Sequence, residues 1–333
     1  MLQSLLYYLQ FGQAHFLLIF FVVLIEYLCW KMGTQLVEFY FFKDSSARAK
    51  ARRVLAATLR LTALLLILFF LIGIGIETIN TYPDTRADIT THNHTLMEAD
   101  RMLFGTYPPL WLQATTNPWK PWFDTTAPLL LVAYNSLSVV LGLMLIFLAV
   151  VNGRLFAQMF AVFILSLLLS MPLWYLYPAL SPLEGYVHPV GTPIISGEVA
   201  TLLAHYQPNP RLDKFLERIL ALRAQDDERF LAVTTIPSMH VAWVTAVVYH
   251  GWRAWRPLLA IGLPYLLLNY VATVYTLQHY AVDSLAGLLI ALVAIGLTAQ
   301  LRLDRLPDVR VVLDVIHDDI VQLRRWFSGK LHY

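Results

Sequence analysis

Long apolar segments alternate with polar segments along this chain, and the pattern predicts a bundle of membrane-spanning helices. A helix needs about 20 apolar residues to cross a bilayer. Apolar segments recur at residues 14–30, 54–76, 128–151, 155–177, 238–249, 257–277 and 279–300. We therefore predict an all-α integral membrane protein, a polytopic helical bundle with about seven transmembrane helices.

The composition agrees with this pattern and excludes some classes of protein. The chain is 58% hydrophobic and only 14% charged, with a mean hydropathy of +0.59, which is too apolar for an ordinary soluble enzyme. The formal net charge is +2, and the basic residues are scattered or lie beside apolar segments. We therefore expect the bilayer, and no nucleic acid, as a partner.

The connectors between the apolar segments predict the orientation. Short connectors rich in Lys and Arg include residues 31–53, Arg154 and the turn with Arg253 and Arg256. Basic residues in short loops favour the cytoplasmic side. Two long loops, at residues 77–126 and 178–236, then lie on the extracytoplasmic (periplasmic or lumenal) face.

Three parts of the chain follow from this arrangement. We assign residues 1–53 to an N-terminal helix and basic connector, 54–300 to a transmembrane domain that contains the candidate chemistry described below, and 301–333 to a cytoplasmic tail. Glu26 and Arg60 lie at matching depth in the first two segments, which favours a structural ion pair between those helices over a functional role.

The long loops contain amphipathic features. Asn209 and Pro210 form a helix start, and apolar residues such as Leu212 and Leu216 then recur at helical spacing. This pattern predicts an amphipathic helix that lies on the bilayer surface. Trp119 and Trp122 in the other loop are typical of the headgroup layer.

Two polar clusters carry the candidate chemistry. One is residues 237–240 (Pro-Ser-Met-His) and the other is residues 279–283 (His-Tyr-Ala-Val-Asp). The apolar hairpin between them places both clusters on the same side of the membrane. His279 and Asp283 are four residues apart and share one face of a helix, where the carboxylate can orient the imidazole.

These residue types fit in-line attack on a phosphoryl group. One histidine would be the nucleophile, oriented by Asp283, and the other would protonate the leaving oxygen. The helix start at Ser238 offers unpaired N–H groups and a hydroxyl to a phosphate. The alternatives are solvated interfacial histidines and metal ligands, although two His and one Asp make a poor zinc site.

The two clusters resemble the second and third signature motifs of the type 2 phosphatidic acid phosphatase superfamily. Their form is similar to the branch that contains inositol phosphorylceramide synthases, in which a larger residue replaces the glycine of Pro-Ser-Gly-His and Tyr follows the second histidine. The Asp-Arg-Met-Leu-Phe-Gly segment at residues 100–105 and the Tyr-Pro-Ala segment at 177–179 also resemble that branch. The resemblance covers roughly residues 95–300.

The resemblance implies a six-helix core and a phosphohistidine mechanism. By position in the motifs, His279 is the nucleophile, Asp283 orients it and His240 is the general acid. No metal or organic cofactor is implied. The chain departs from the wider superfamily at Thr273, where an arginine is usual, and Arg211 and Arg218 are only a poor copy of the basic first motif.

The leading hypothesis is thus a membrane phosphotransferase that moves a phosphoryl-headgroup unit from a phospholipid to a lipid or alcohol acceptor. A lipid phosphate phosphatase would use the same residues with water as the acceptor. A transporter or a scaffold with a decayed site is the alternative from a different class.

Overall fold

The computed structural model describes residues 13–41, 45–81, 86–189, 192–224, 235–301 and 306–330. Residues 1–12 of the predicted N-terminal part, and residues 302–305 and 331–333 of the predicted tail, lie outside them. The described part is 84% helical and contains no β-strand, and Ala114 and Tyr206 form an isolated antiparallel bridge. The predicted all-α fold is confirmed.

The helices are numbered in chain order over the described residues. They are α1 (Gln13–Phe41), α2 (Ser45–Thr81), α3 (Arg86–Phe104), α4 (Pro108–Trp111), α5 (Lys120–Val151), α6 (Gly153–Leu176), α7 (Gly197–Ala204), α8 (Pro210–Ala224), α9 (Met239–Ala254), α10 (Leu258–Tyr275), α11 (Ala281–Leu301) and α12 (Pro307–Lys330). A π-helical turn at Leu183–Val187 lies between α6 and α7.

Five of these helices are long and apolar enough to cross a membrane: α2 over Ser45–Gly75, α5, α6, α10 and α11. The chain is therefore a polytopic helical membrane protein. The other two predicted spans correspond to α1 and α9, and their crossing stays a prediction. Helix α9 has 16 residues, fewer than the roughly 20 that a straight crossing needs.

Helix α9 is the centre of the bundle. It packs against α5, α6, α10 and α11, and most of its residues are buried. A helix enclosed by protein does not need an apolar face toward lipid. This enclosure explains why its sequence is shorter and more polar than that of its neighbours.

The helix that contains the third predicted span starts before the span, which was predicted from Pro128. Pro128 lies inside α5, which starts at Lys120 with Pro121 in its first turn. Proline is favourable in the first turn because its missing N–H has no helical partner there. The helix continues through Pro128 and reaches the polar layer beyond the apolar segment.

The two long loops fold into short helices that cover one end of the bundle. Helix α8 confirms the predicted amphipathic helix, but its predicted surroundings are wrong. Leu212, Leu216 and Ile219 are buried in the main hydrophobic core, and the Phe215 ring contacts Tyr134 of α5 at 5.9 Å. The apolar face of α8 therefore packs on protein and not on the bilayer.

The expected ion pair between the first two helices is also replaced by another. Arg60 donates to Asp308 of α12 at 2.7 Å, whereas Glu26 is exposed and has no ion pair within the described residues. Helix α12 packs along α2, and Lys31 binds Asp319 on the same helix. The positions of residues within the predicted spans could not reveal these partners, because α12 lies far away in the sequence.

One glycine lets α11 approach the segment before α9. A Cβ atom at Gly287 would overlap the backbone carbonyl oxygen of Ser238. One turn earlier on α11, the carbonyl oxygen of Asp283 accepts a hydrogen bond from the Ser238 N–H at 3.0 Å. The bare backbone at Gly287 therefore makes this close contact possible.

We predict that Gly287→Ala destabilises the protein by about 1–3 kcal/mol, the usual range for overpacking. Gly296→Ala on the same helix is the matched control, because no atom lies within 4 Å of the added carbon. Thermal unfolding of both purified variants measures the difference. Equal stability of the two variants would show that the contact at Gly287 is not tight.

Candidate active site

The two predicted polar clusters meet at one end of the bundle. The hydrogen bond from the Ser238 N–H to the Asp283 carbonyl joins the residue before α9 to the first turn of α11. His279 Nδ1 lies 3.0 Å from the carbonyl oxygen of Thr235, three residues before Ser238, and His240 follows Ser238 in the first turn of α9. The structure therefore brings both predicted histidines and the predicted carboxylate to one place.

The surroundings of His279 determine which ring nitrogen carries the proton. Its Nδ1 lies 3.0 Å from the Thr235 carbonyl oxygen and 3.7 Å from Asp283 Oδ2. Both neighbours are acceptors only, so Nδ1 must be the donor in the neutral ring. The lone pair is then on Nε2. The side chain as a whole is 13% exposed.

The backbone turn between α10 and α11 places His279 beside Thr273. Leu277 adopts a left-handed conformation, with φ of 58°, and the His279 N–H donates to the Thr273 carbonyl at 3.2 Å. The hydroxyl of Thr273 bonds to Ser284 of α11 at 3.1 Å. Thr273, which replaces the usual arginine, therefore ties α10 to α11.

Asp283 has a role at its own helix start. It is fully buried, and its Oδ2 accepts a hydrogen bond from the Tyr280 N–H at 3.0 Å. A carboxylate in the first turn that binds the preceding N–H is half of a capping box. The 3.7 Å between His279 Nδ1 and Asp283 Oδ2 exceeds hydrogen-bonding distance. His279 Nδ1 therefore donates its hydrogen bond to the Thr235 carbonyl oxygen, and Asp283 acts on the ring at ion-pair range.

His240 lies in a buried polar pocket in the first turn of α9. Its Nε2 is 2.8 Å from Asn269 Oδ1, and its ring stacks on Tyr134 with centroids 4.4 Å apart. The Asn269 amide nitrogen donates to the Tyr265 carbonyl at 2.9 Å, so the amide oxygen faces the imidazole. His240 Nε2 therefore carries the hydrogen.

Ser238 caps α9 through its side chain. Its Oγ accepts from the Val241 N–H at 3.5 Å, and the residue is fully buried. This cap positions His240 two residues later. The predicted contact between the hydroxyl and a phosphate is not tested by this geometry and stays a prediction.

Sequence reasoning missed four residues around this site: Asn269, Tyr134, Thr235 and Asp100. Asn269 could have been found, because it is a polar amide within the apolar segment 257–277. A buried polar group of this kind must have a hydrogen-bond partner. Asp100 was noticed only as part of a resembling segment. Tyr134 acts through its ring and Thr235 through its backbone, and neither has a local sequence signal.

The sequence left metal ligation open as an alternative role for the two histidines. Among the described residues, no three His, Cys, Asp or Glu side chains are grouped so that they could hold a metal ion.

Fold and site together define a helical membrane protein with two histidines and a carboxylate at one end of its bundle. Residues 94–297 match the family model described as "PAP2 superfamily", and the match covers more than half of the chain. The chain therefore belongs to the PAP2 superfamily, whose membership indicates an enzyme with lipid phosphatase or phosphotransferase chemistry. Searches of curated proteins and of solved structures find no significant match.

We predict that Asn269→Ala lowers kcat by roughly ten- to a hundredfold, the range for partners that orient an active-site side chain. The substitution removes the acceptor that holds His240 Nε2. Asn135→Ala is the control, because Asn135 is an exposed amide that binds only its own helix, through the Leu131 carbonyl. Turnover of a phosphate-ester lipid measures both variants, and an equal kcat would remove Asn269 from the site.

Proposed function

We propose that this protein is a membrane phosphotransferase that moves a phosphoryl-headgroup unit from a phospholipid to a lipid or alcohol acceptor through a phosphohistidine intermediate. The observation that carries the proposal is the placement of His279. Its Nδ1 faces two acceptors, Thr235 O and Asp283 Oδ2. A neutral imidazole held in this way presents the Nε2 lone pair as a nucleophile.

The first chemical step forms one bond and breaks one bond. Nε2 of His279 attacks the phosphorus, and the bond between phosphorus and the glycerol oxygen of the donor breaks. The departing oxygen takes a proton from cationic His240. Because Nε2 of His240 is bonded to Asn269, that proton comes from Nδ1.

The second step reverses these roles. The acceptor hydroxyl gives its proton to His240 Nδ1, and its oxygen attacks the phosphorus of the intermediate. The bond between phosphorus and His279 Nε2 breaks, and the free enzyme is restored. The product is the acceptor joined to the phosphoryl-headgroup unit.

Two features of the helix starts support charge stabilisation in both steps. The imidazolium character of His279 grows as Nε2 bonds to phosphorus, and the carboxylate of Asp283 at 3.7 Å favours that positive charge. The start of α9 supplies N–H groups and positive partial charge for the phosphoryl oxygens. Ser238 is the proposed additional donor.

The resemblance to inositol phosphorylceramide synthases makes a transferase of that kind the preferred subtype. It rests on the Pro-Ser-Met-His form at residues 237–240, on Tyr280 after the second histidine, and on the Asp-Arg-Met-Leu-Phe-Gly segment at 100–105. The partial exposure of His279 also admits water as the acceptor, so a lipid phosphate phosphatase is the second candidate.

Mass spectrometry of lipids tests the proposal directly. Purified enzyme is incubated with candidate phospholipids, with and without an alcohol acceptor, and in EDTA. We expect a transferred product that depends on the acceptor and is unaffected by EDTA. Release of free phosphate or headgroup phosphate alone would favour the phosphatase. Loss of turnover in EDTA with recovery in magnesium would exclude the metal-free mechanism.

Substitutions at the nucleophile give a second check on the same assay. We expect His279→Ala to abolish turnover. We expect Asp283→Asn to lower kcat by several orders of magnitude, because the amide lacks the negative charge that lies 3.7 Å from His279 Nδ1 and favours the cationic ring of the intermediate. His205→Ala, an exposed histidine of the same end of the molecule, is the control. A loss smaller than tenfold in Asp283→Asn would reduce Asp283 to a packing residue.

The proposed orientation places the site on the extracytoplasmic face. In a Cys29→Ser background, a cysteine introduced at Asp88 or Gln207 should react with an impermeant thiol reagent in intact cells. A cysteine introduced at Ser45, in the basic connector region, should be protected. The reverse labelling pattern would invert the topology.

A further inference from the structure

Asp100 is a fully buried carboxylate in α3, outside the membrane-spanning helices. Its Oδ2 accepts a hydrogen bond from the Ala281 N–H at 2.9 Å, and its Oδ1 accepts one from the Val282 N–H at 2.8 Å. Both distances are typical of charge-assisted bonds. Both carboxylate oxygens of Asp100 therefore accept hydrogen bonds from the start of α11.

The two amides that Asp100 binds lie between His279 and Asp283 in the sequence. The first N–H groups of a helix have no partner within that helix. Asp283 satisfies the Tyr280 N–H, and Asp100 satisfies the next two. Three successive N–H groups at this helix start are thus held by two carboxylates, one from α11 itself and one from α3.

We propose that Asp100 is a positioning residue of the active site, because its carboxylate fixes the helix start from which His279 and Asp283 project. The expected effect of Asp100 on catalysis rests on the proposed function. The two hydrogen bonds that Asp100 accepts do not depend on it. Asp100 acts through the backbone and has no exposed surface, so it does not bind the lipid.

The buried surroundings of Asp100 disfavour its ionised form. Burial, and to a smaller extent the nearby Asp283, raise the pKa of Asp100 to about 7, although the two backbone hydrogen bonds act in the opposite direction. The neighbouring titratable groups are Asp283, Tyr280 and Tyr270. Because the folded-state pKa is above that of an exposed carboxyl, the ionised form lowers stability at pH 8.

Asp100→Asn is the central variant. The amide oxygen can accept from one N–H, but the amide nitrogen is a donor and cannot accept from the other. Asp88→Asn is the matched control, an exposed carboxyl on the same helix. The variants are compared by kcat and KM for a phosphate-ester lipid at pH 8, and by hydrogen exchange of the peptide that contains residues 279–284.

We expect Asp100→Asn to lower kcat by roughly ten- to a hundredfold with KM changed less than about twofold. Hydrogen exchange should become faster in the 279–284 peptide and stay unchanged in the rest of α11 and in α3. Asp88→Asn should match the wild type in every measurement.

Two results would overturn the inference: a kcat within threefold of the wild type, or an unchanged exchange rate in the 279–284 peptide. Neither of these two results would contradict the proposed phosphotransferase function. If the wild type turns over no phosphate ester, the proposed function fails, and the exchange measurement still tests the contact. If Asp100→Asn does not fold, Asp100→Glu and Asp100→Gln form a second pair, in which only the carboxylate variant should recover the slow exchange and part of kcat.

Discussion

The active site depends on the close contact between the starts of α9 and α11. The hydrogen bond from the Ser238 N–H to the Asp283 carbonyl holds this contact, and the absence of a side chain at Gly287 permits it. His240 and Asp283 lie within one turn of the contact, and His279 lies just before α11. A shift of one helix against the other would separate His240 from His279, the proposed acid and the proposed nucleophile.

The same contact concentrates unpaired N–H groups at one end of a largely apolar bundle. Such groups are costly when buried without partners, and the chain satisfies many of them with side chains: Ser238 for α9, and Asp283 with Asp100 for α11. Acidic and hydroxyl caps near a helix start also match its positive partial charge. Helix caps and catalytic geometry are therefore built from the same residues.

The fold could be predicted from the sequence, because apolar length and helical spacing are local properties. The candidate site residues were also predicted from it, and the structure brings them to one end of the bundle. His240, His279 and Asp283 were found from spacing and motif form. The partners that orient them could not be found, since Asn269 and Thr235 reach the histidines through tertiary contacts. The helix at residues 210–224 was predicted correctly, but its burial against Tyr134 depends on how the long loop folds back over the bundle.

The central claim is a double displacement through a covalent enzyme intermediate, and the stereochemical course at phosphorus tests it most directly. A donor lipid made chiral at phosphorus by isotopes of oxygen is converted by the purified enzyme, and the configuration of the product is determined. Each in-line displacement inverts the phosphorus, so attack by His279 followed by attack of the acceptor predicts overall retention. Overall inversion would show a single direct transfer and would contradict the phosphohistidine mechanism.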